Sequence, residues 1–77
     1  MKDRFIVLPA FFLEDGLIYF HDLRINPFNI EAYYETSISF TDDNGKSVDD
    51  DAVKIFTKSG FEYEINLPIE IFEEFLS

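Results

Sequence analysis

Cysteine and tryptophan are absent from this chain, and histidine and methionine occur once each. Without cysteine there are no disulfides and no thiolate metal sites, a composition that favours a reducing compartment. No apolar run approaches the roughly 18 residues a membrane span needs, and no basic stretch precedes an apolar segment of signal-peptide type. The expectation is a soluble, cytoplasmic protein without a secretory signal or a membrane partner. Positive charge is also scarce: six lysines and arginines stand against sixteen aspartates and glutamates, for a net charge of −10. Phosphates are held by lysine and arginine, so this balance argues against direct nucleic-acid binding. It favours solubility, a protein partner with a basic surface, or cations. Length is limiting as well. The 77 residues make a single domain, residues 1–77, and a chain of this size buries only about 60–65% of its unfolded surface.

What the chain does have is apolar residues at 47% of its length, enough to exclude wholesale disorder, with ten phenylalanines and four tyrosines among them. From Arg4 to Leu13 it reads RFIVLPAFFL, a continuous apolar run that predicts a strand covered on both faces. Pro9 has no N–H for a ladder, which predicts an edge position or a bulge. Glu14-Asp15-Gly16 signals a turn, and Leu17–Ile25 reads as the returning strand of a hairpin. Asn26 before Pro27 predicts a capped single turn. Next, Ile30, Ala32, Tyr34, Thr36, Ile38 and Phe40 alternate with Glu31, Glu35, Ser37 and Ser39, with Tyr33 the exception on the polar side. Period-two alternation of this length predicts a long strand with one wet face.

Thr41 to Val53 (TDDNGKSVDDDAV) reads as a mobile, charged loop turning on Asn44-Gly45. Beyond it, Ala52–Lys58 and Phe61–Ile65 flank Ser59-Gly60 as a tight hairpin, with Gly60 supplying positive φ. Lys54 and Lys58 are placed to pair with Glu62 and Glu64 across its strands. In the closing segment Ile69, Ile71, Phe72, Phe75 and Leu76 fall on one arc of a helix that opens near Pro68, and Glu70, Glu73 and Glu74 on the other. So short a helix must dock on the sheet to persist. The predicted fold is α+β: a small, mainly antiparallel sheet of about five strands with a short C-terminal helix.

Motifs that carry chemistry fail on particular residues. With Gly45 at the sixth position of an EF-hand loop, the first position falls on Phe40 and the ninth on Val48, neither of which offers a side-chain oxygen. The Gly45-Lys46-Ser47 step has Phe40 where a phosphate loop needs its first glycine, and aspartates on both sides. His21 is next to Asp22, whose side chain points to the other face of a strand, so no second zinc ligand is visible. Ser37 and Ser39 have no base in the pattern. Glu62 and Glu64 share a strand face, where solvation is the simpler account of paired carboxylates. No cofactor, metal site or enzymatic activity is expected.

The aromatics are the remaining lead. Phe12, Phe20, Tyr33 and Phe56 fall opposite the apparent core face of their strands. One sheet and one short helix cover one face well, so these four are expected to form a second apolar surface for a partner or for self-association.

INPFNIEAYYE (residues 25–35), VKIFTKSGFEYEI (residues 53–65) and the ending IEIFEEFL together resemble short bacterial proteins typified by the flagellar FlbD family. The resemblance implies an Asn-Pro-x-x-Ile turn leading into a strand, a hairpin with glycine at its tip, and a terminal helix. It carries no catalytic motif. The acidic segment TDDNGKSVDDDA and the phenylalanine-rich first strand depart from it.

Two functional expectations follow. In the first, the chain is a small non-enzymatic binding protein of bacterial or phage type. It blocks a basic surface of a host defence protein by nucleic-acid mimicry, with Asp49, Asp50, Asp51, Glu62, Glu64, Glu70, Glu73 and Glu74 supplying phosphate-like charge. In the second, subunits associate through the aromatics into a homo-oligomer that holds a small ligand between them.

Overall fold

Asp15 and Gly16 turn the first hairpin, with φ of 53° and 80°. Positive φ at both central positions is the two-residue turn whose twist matches that of the flanking strands. It joins β1 (Ile6–Glu14) to β2 (Leu17–Ile25), paired along their full length from Glu14↔Leu17 to Ile6↔Ile25. In this computed structural model, which describes residues 4–77, a single 3-10 turn follows at Pro27–Asn29. Asn26 Oδ1 accepts from the Phe28 N–H at 2.9 Å, the expected cap.

β3 (Ile30–Thr41) and β4 (Ser47–Thr57) form the long hairpin, and β5 (Glu62–Ile65) and α1 (Ile69–Leu76) complete the chain. The fold is α+β: one five-stranded antiparallel sheet in the order β2-β1-β5-β4-β3, with one short C-terminal helix.

Three sequence expectations are corrected. The acidic segment is not a loop through Val53. The turn occupies residues 42–46, and Asp49, Asp50 and Asp51 lie in β4, opposite Ser39, Ile38 and Ser37. Asp42 closes that turn: its Oδ1 accepts from the Asn44 and Lys46 N–H groups, both at 2.9 Å. A side chain that holds its own backbone in this way is a strong turn former, so the strand resumes at once.

Pro9 lies in a central strand, between β2 and β5. Its carbonyl accepts from the Asn66 N–H at 2.8 Å. A residue's N–H and C=O point to the same side of a strand, so the missing donor faces the stretch just past β5, where the ladder has ended.

Tyr33 is on the core face rather than the wet one. Glu31 is the extra residue of a β-bulge between the pairs Ile30↔Thr57 and Ala32↔Phe56. Tyr33 itself stays on the side of Glu35, Ser37 and Ser39, which α1 covers at this end of β3. The bulge shifts the alternation by one residue and brings Ile30 to the same side.

The principal core lies under α1. Leu8, Val53, Ile55, Ile65 and Phe72 are fully buried there, with Tyr33, Leu67, Phe75 and Leu76 packed around them. Phe72 meets Tyr33 edge-on at 5.0 Å, and Ile71, expected on the buried arc, is 40% exposed. Arg4 secures the far end of the helix. Its guanidinium donates to the carbonyls of Phe75 (3.3 Å) and Ser77 (3.0 Å), placing a cation at a helix C-terminus.

A second, smaller cluster of Phe11, Ile38 and Ala52, flanked by Ile18 and Phe40, occupies the opposite face. The sheet covers part of that face itself, because the start of β2 and the end of β3 line one hollow.

Phe72 is the single buried residue of α1. Phe72→Ala is therefore expected to cost about 3–5 kcal/mol, much of the roughly 4–12 kcal/mol typical of a domain this size. Phe72→Leu keeps most of the volume and should cost clearly less. Urea unfolding followed by circular dichroism measures both.

Candidate interaction surfaces

Charge is distributed unevenly along the fold. Residues 1–25 carry Lys2, Arg4 and Arg24 against Asp3, Glu14, Asp15 and Asp22, a net −1, which leaves −9 of the total −10 to residues 26–77. The first hairpin is nearly neutral, and the β3–β4 ribbon and the helix are strongly acidic.

On the ribbon, Asp49, Asp50 and Asp51 are all exposed and line a shallow hollow of about 190 Å³ with Ser37. They are not equivalent. Asn66 Nδ2 donates to Asp50 Oδ2 at 3.1 Å and to the Asp51 carbonyl at 3.1 Å, and the Ser39 hydroxyl donates to Asp49. Asp50 is tied to the chain after β5, while Asp49 and Asp51 stand on the other face beside Ser39 and Ser37. Same-face residues on a strand lie about 6.6–6.8 Å apart, so these two carboxylates form a short linear anionic array.

Glu62 and Glu64 are less available than the sequence suggests. Lys54 Nζ lies 3.2 Å from Glu62 and 3.7 Å from Glu64, so one ammonium offsets part of both charges. The hydrogen bond to Glu62, with the Coulombic attraction of both glutamates, raises the Lys54 pKa. Lys58 forms no ion pair among the described residues. Instead its backbone N–H donates to the Asn29 carbonyl at 2.7 Å.

Glu70, Glu73 and Glu74 are exposed on the outer side of α1. Glu73 accepts a 2.8 Å hydrogen bond from Tyr33 Oη. That bond, followed by burial and by repulsion from the Glu73 charge, raises the Tyr33 pKa.

The four aromatics separate. Phe12 and Phe20 remain open on the first hairpin, 49% and 57% exposed, but on opposite faces. Phe12 pairs with Tyr19 on the face of Leu8 and Ala10, and Phe20 with Phe11 on the other, so they form no single apolar surface. Phe12 stacks on Tyr19 with ring centres 5.2 Å apart. Phe56 is half-buried and leans on Tyr34 at 5.8 Å. Tyr33 belongs to the core and leaves the expected apolar surface.

A hollow of about 440 Å³, where β1 diverges from β5, brings Phe12, Glu62 and Glu64 together with His21 and Lys54. Among the described residues, no three histidine or carboxylate side chains converge as a metal-ligand set. None of the described helices is long and apolar enough to cross a membrane. No family model, curated protein or solved structure matches the chain.

Sequence reasoning missed several open apolar residues: Leu13, Leu17 and Tyr19 on the first hairpin, and Phe28 beside an apolar groove of about 340 Å³ that reaches Tyr33 and Leu76. The signal was present in the first hairpin, where apolar residues occupy both parities of both strands.

The Tyr33–Glu73 contact has a pH signature. A pKa raised by folding stabilises the native state below the unfolded tyrosine value near 10, and that stabilisation is lost as pH rises through the folded value. Wild type should therefore lose stability above about pH 10 more steeply than Tyr33→Phe. Thermal unfolding from pH 8 to 11 measures the difference, and parallel curves would contradict it.

Proposed function

We propose that this chain is a small, non-enzymatic binding protein of bacterial or phage type that occupies a basic surface of a protein partner, as a nucleic acid would. The observation that carries the reading is the segregation of charge: −9 on residues 26–77, arranged along an exposed ribbon and helix. Fixed carboxylates on a strand are preorganised. A partner that normally holds phosphates with lysine and arginine meets a rigid anionic line without paying to order a loop.

Asp49 and Asp51 are the principal charges, with Asp43 at the ribbon tip and Glu70 and Glu74 on the helix contributing. Asp50, Glu62, Glu64 and Glu73 are partly engaged within the molecule and contribute less. The partner class is a host protein with a basic channel, such as a defence nuclease. Steering by such a field raises association rates and weakens with salt. The pattern-level resemblance to FlbD-type proteins supports the bacterial or phage setting. A second reading, a homo-oligomer holding a small ligand between subunits, draws on the open aromatics of the first hairpin, Phe12 with Tyr19 on one face and Phe20 on the other.

The test is a native pull-down from bacterial extract with the tagged chain, eluted by increasing salt or by duplex DNA. The reading expects captured proteins that leave between about 0.05 and 0.5 M salt, where the screening length falls from near 14 to near 4 Å. Duplex DNA should displace the same proteins. An Asp49→Asn/Asp51→Asn variant should capture several-fold less. Capture indifferent to salt and to DNA would contradict the mimic.

A further inference from the structure

The sheet has two edges, guarded unequally: the end of β3 comes near the start of β2, and the rest of β2 is open. β3 carries Glu31 and Glu35 and runs beside Asp49, Asp50 and Asp51 of β4. β2 has one aspartate, one arginine, no lysine, no proline and no bulge in its register with β1. A long, regular, apolar edge strand of this kind is a template for pairing with another chain. Seven of the eleven exposed large apolar side chains lie on or beside this hairpin, Phe12, Leu17, Tyr19 and Phe20 among them.

We infer that β2 pairs with β2 of a second copy of this chain, antiparallel about a two-fold axis at His21, giving a continuous ten-stranded sheet.

Charge and register both select a second copy. A chain of net charge −10 repels itself almost everywhere, and β2 is the neutral strip on which two copies meet. The register is constrained by backbone direction. The Pro9 carbonyl faces Asn66, so Ala10 faces His21 and the open N–H and C=O groups of β2 are those of residues 18, 20, 22 and 24. A two-fold axis normal to the sheet keeps each side chain on its own face, so only residues of like parity oppose one another.

Centring the axis on His21 pairs all four open residues. Ile18 lies opposite the partner's Arg24, and Phe20 opposite the partner's Asp22. Moving the axis to Asp22 sets two aspartates face to face, and moving it to Phe20 leaves Arg24 unpaired. On the other face Tyr19 meets the partner's Leu23.

The His21 register also completes a charge pair. Arg24 has no carboxylate within 4.0 Å among the described residues. Asp42 and Asp43 line the hollow beside Ile18 and Phe20, on the face and at the position where the partner's Arg24 arrives. The contact is made twice by symmetry. It draws on Asp42 and Asp43 at the ribbon tip and leaves Asp49, Asp50, Asp51 and the helix carboxylates free. The dimer therefore presents two charged surfaces, and its existence does not depend on the mimic reading.

Sedimentation equilibrium of the full chain gives the first result: a mass of twice 9.1 kDa at micromolar concentration. His21→Cys gives the second. Residues opposed without hydrogen bonds have Cα atoms about 4.5 Å apart, within disulfide range. Mild oxidation should therefore link nearly all of His21→Cys into dimers. Tyr19→Cys, offset about 13 Å along the strands from its own copy, should remain monomeric on a denaturing gel. His21→Glu, with two carboxylates facing across the axis, should weaken association at least tenfold and keep the wild-type circular dichroism spectrum. A wild-type monomer up to millimolar concentration overturns the inference. So does a dimer that links through Tyr19→Cys instead, or one that His21→Glu leaves intact.

Discussion

The two halves of this molecule are joined by very little ladder. β1 meets β5 only at Ala10↔Ile65 and Phe11↔Glu64, extended by the Asn66 to Pro9 hydrogen bond. Everything else in the sheet is hairpin pairing between neighbours in sequence. The short seam persists because side chains cover it on both sides. Ala10, Ile65 and Leu8 pack under Phe72 on one face, and Phe11 packs against Ile38 and Ala52 on the other. Burial of this kind is worth about 1.5–3 kcal/mol per large apolar side chain. The helix therefore does more than cap the core. It lies over the joint, and Arg4 ties its last carbonyls back to the start of β1.

What the sequence made legible is what local chemistry decides. Asp15-Gly16, Asn26-Pro27 and Ser59-Gly60 each set a turn, because the φ values or the missing N–H needed there belong to the residues themselves. Helix α1 was readable from its period, apart from Ile71. The errors all came from non-local structure. Aspartate is a poor strand former, so Asp49–Asp51 read as loop, yet pairing with Ser37–Ser39 outweighs propensity there. Tyr33 keeps the face it shares with Glu35, Ser37 and Ser39, but α1 covers that face at this end of β3. The alternation announces neither the cover nor the bulge at Glu31 that turns Ile30 to the same side. Phe11 found cover because the sheet folds over part of its own second face.

The same non-local facts reshape the candidate surface. Eight carboxylates looked equivalent in the sequence. In the fold Lys54 draws on Glu62 and Glu64, Tyr33 on Glu73, Asn66 on Asp50 and Ser39 on Asp49, which leaves Asp51, Glu70 and Glu74 the freest. The aromatics divide likewise: Tyr33 builds the core, while Phe12 and Phe20 stay open on the nearly neutral hairpin. Most of the charge and most of the exposed apolar side chains therefore occupy different parts of the molecule, one suited to a basic partner and the other to a neutral contact.

The central claim is that the acidic ribbon and helix form the surface a basic partner meets. Amide chemical-shift mapping with an arginine-rich peptide tests it most directly. The account predicts salt-sensitive shifts at residues 37–51 and along α1, with residues 17–25 unmoved. Shifts concentrated on the first hairpin, or shifts that survive high salt, would contradict it.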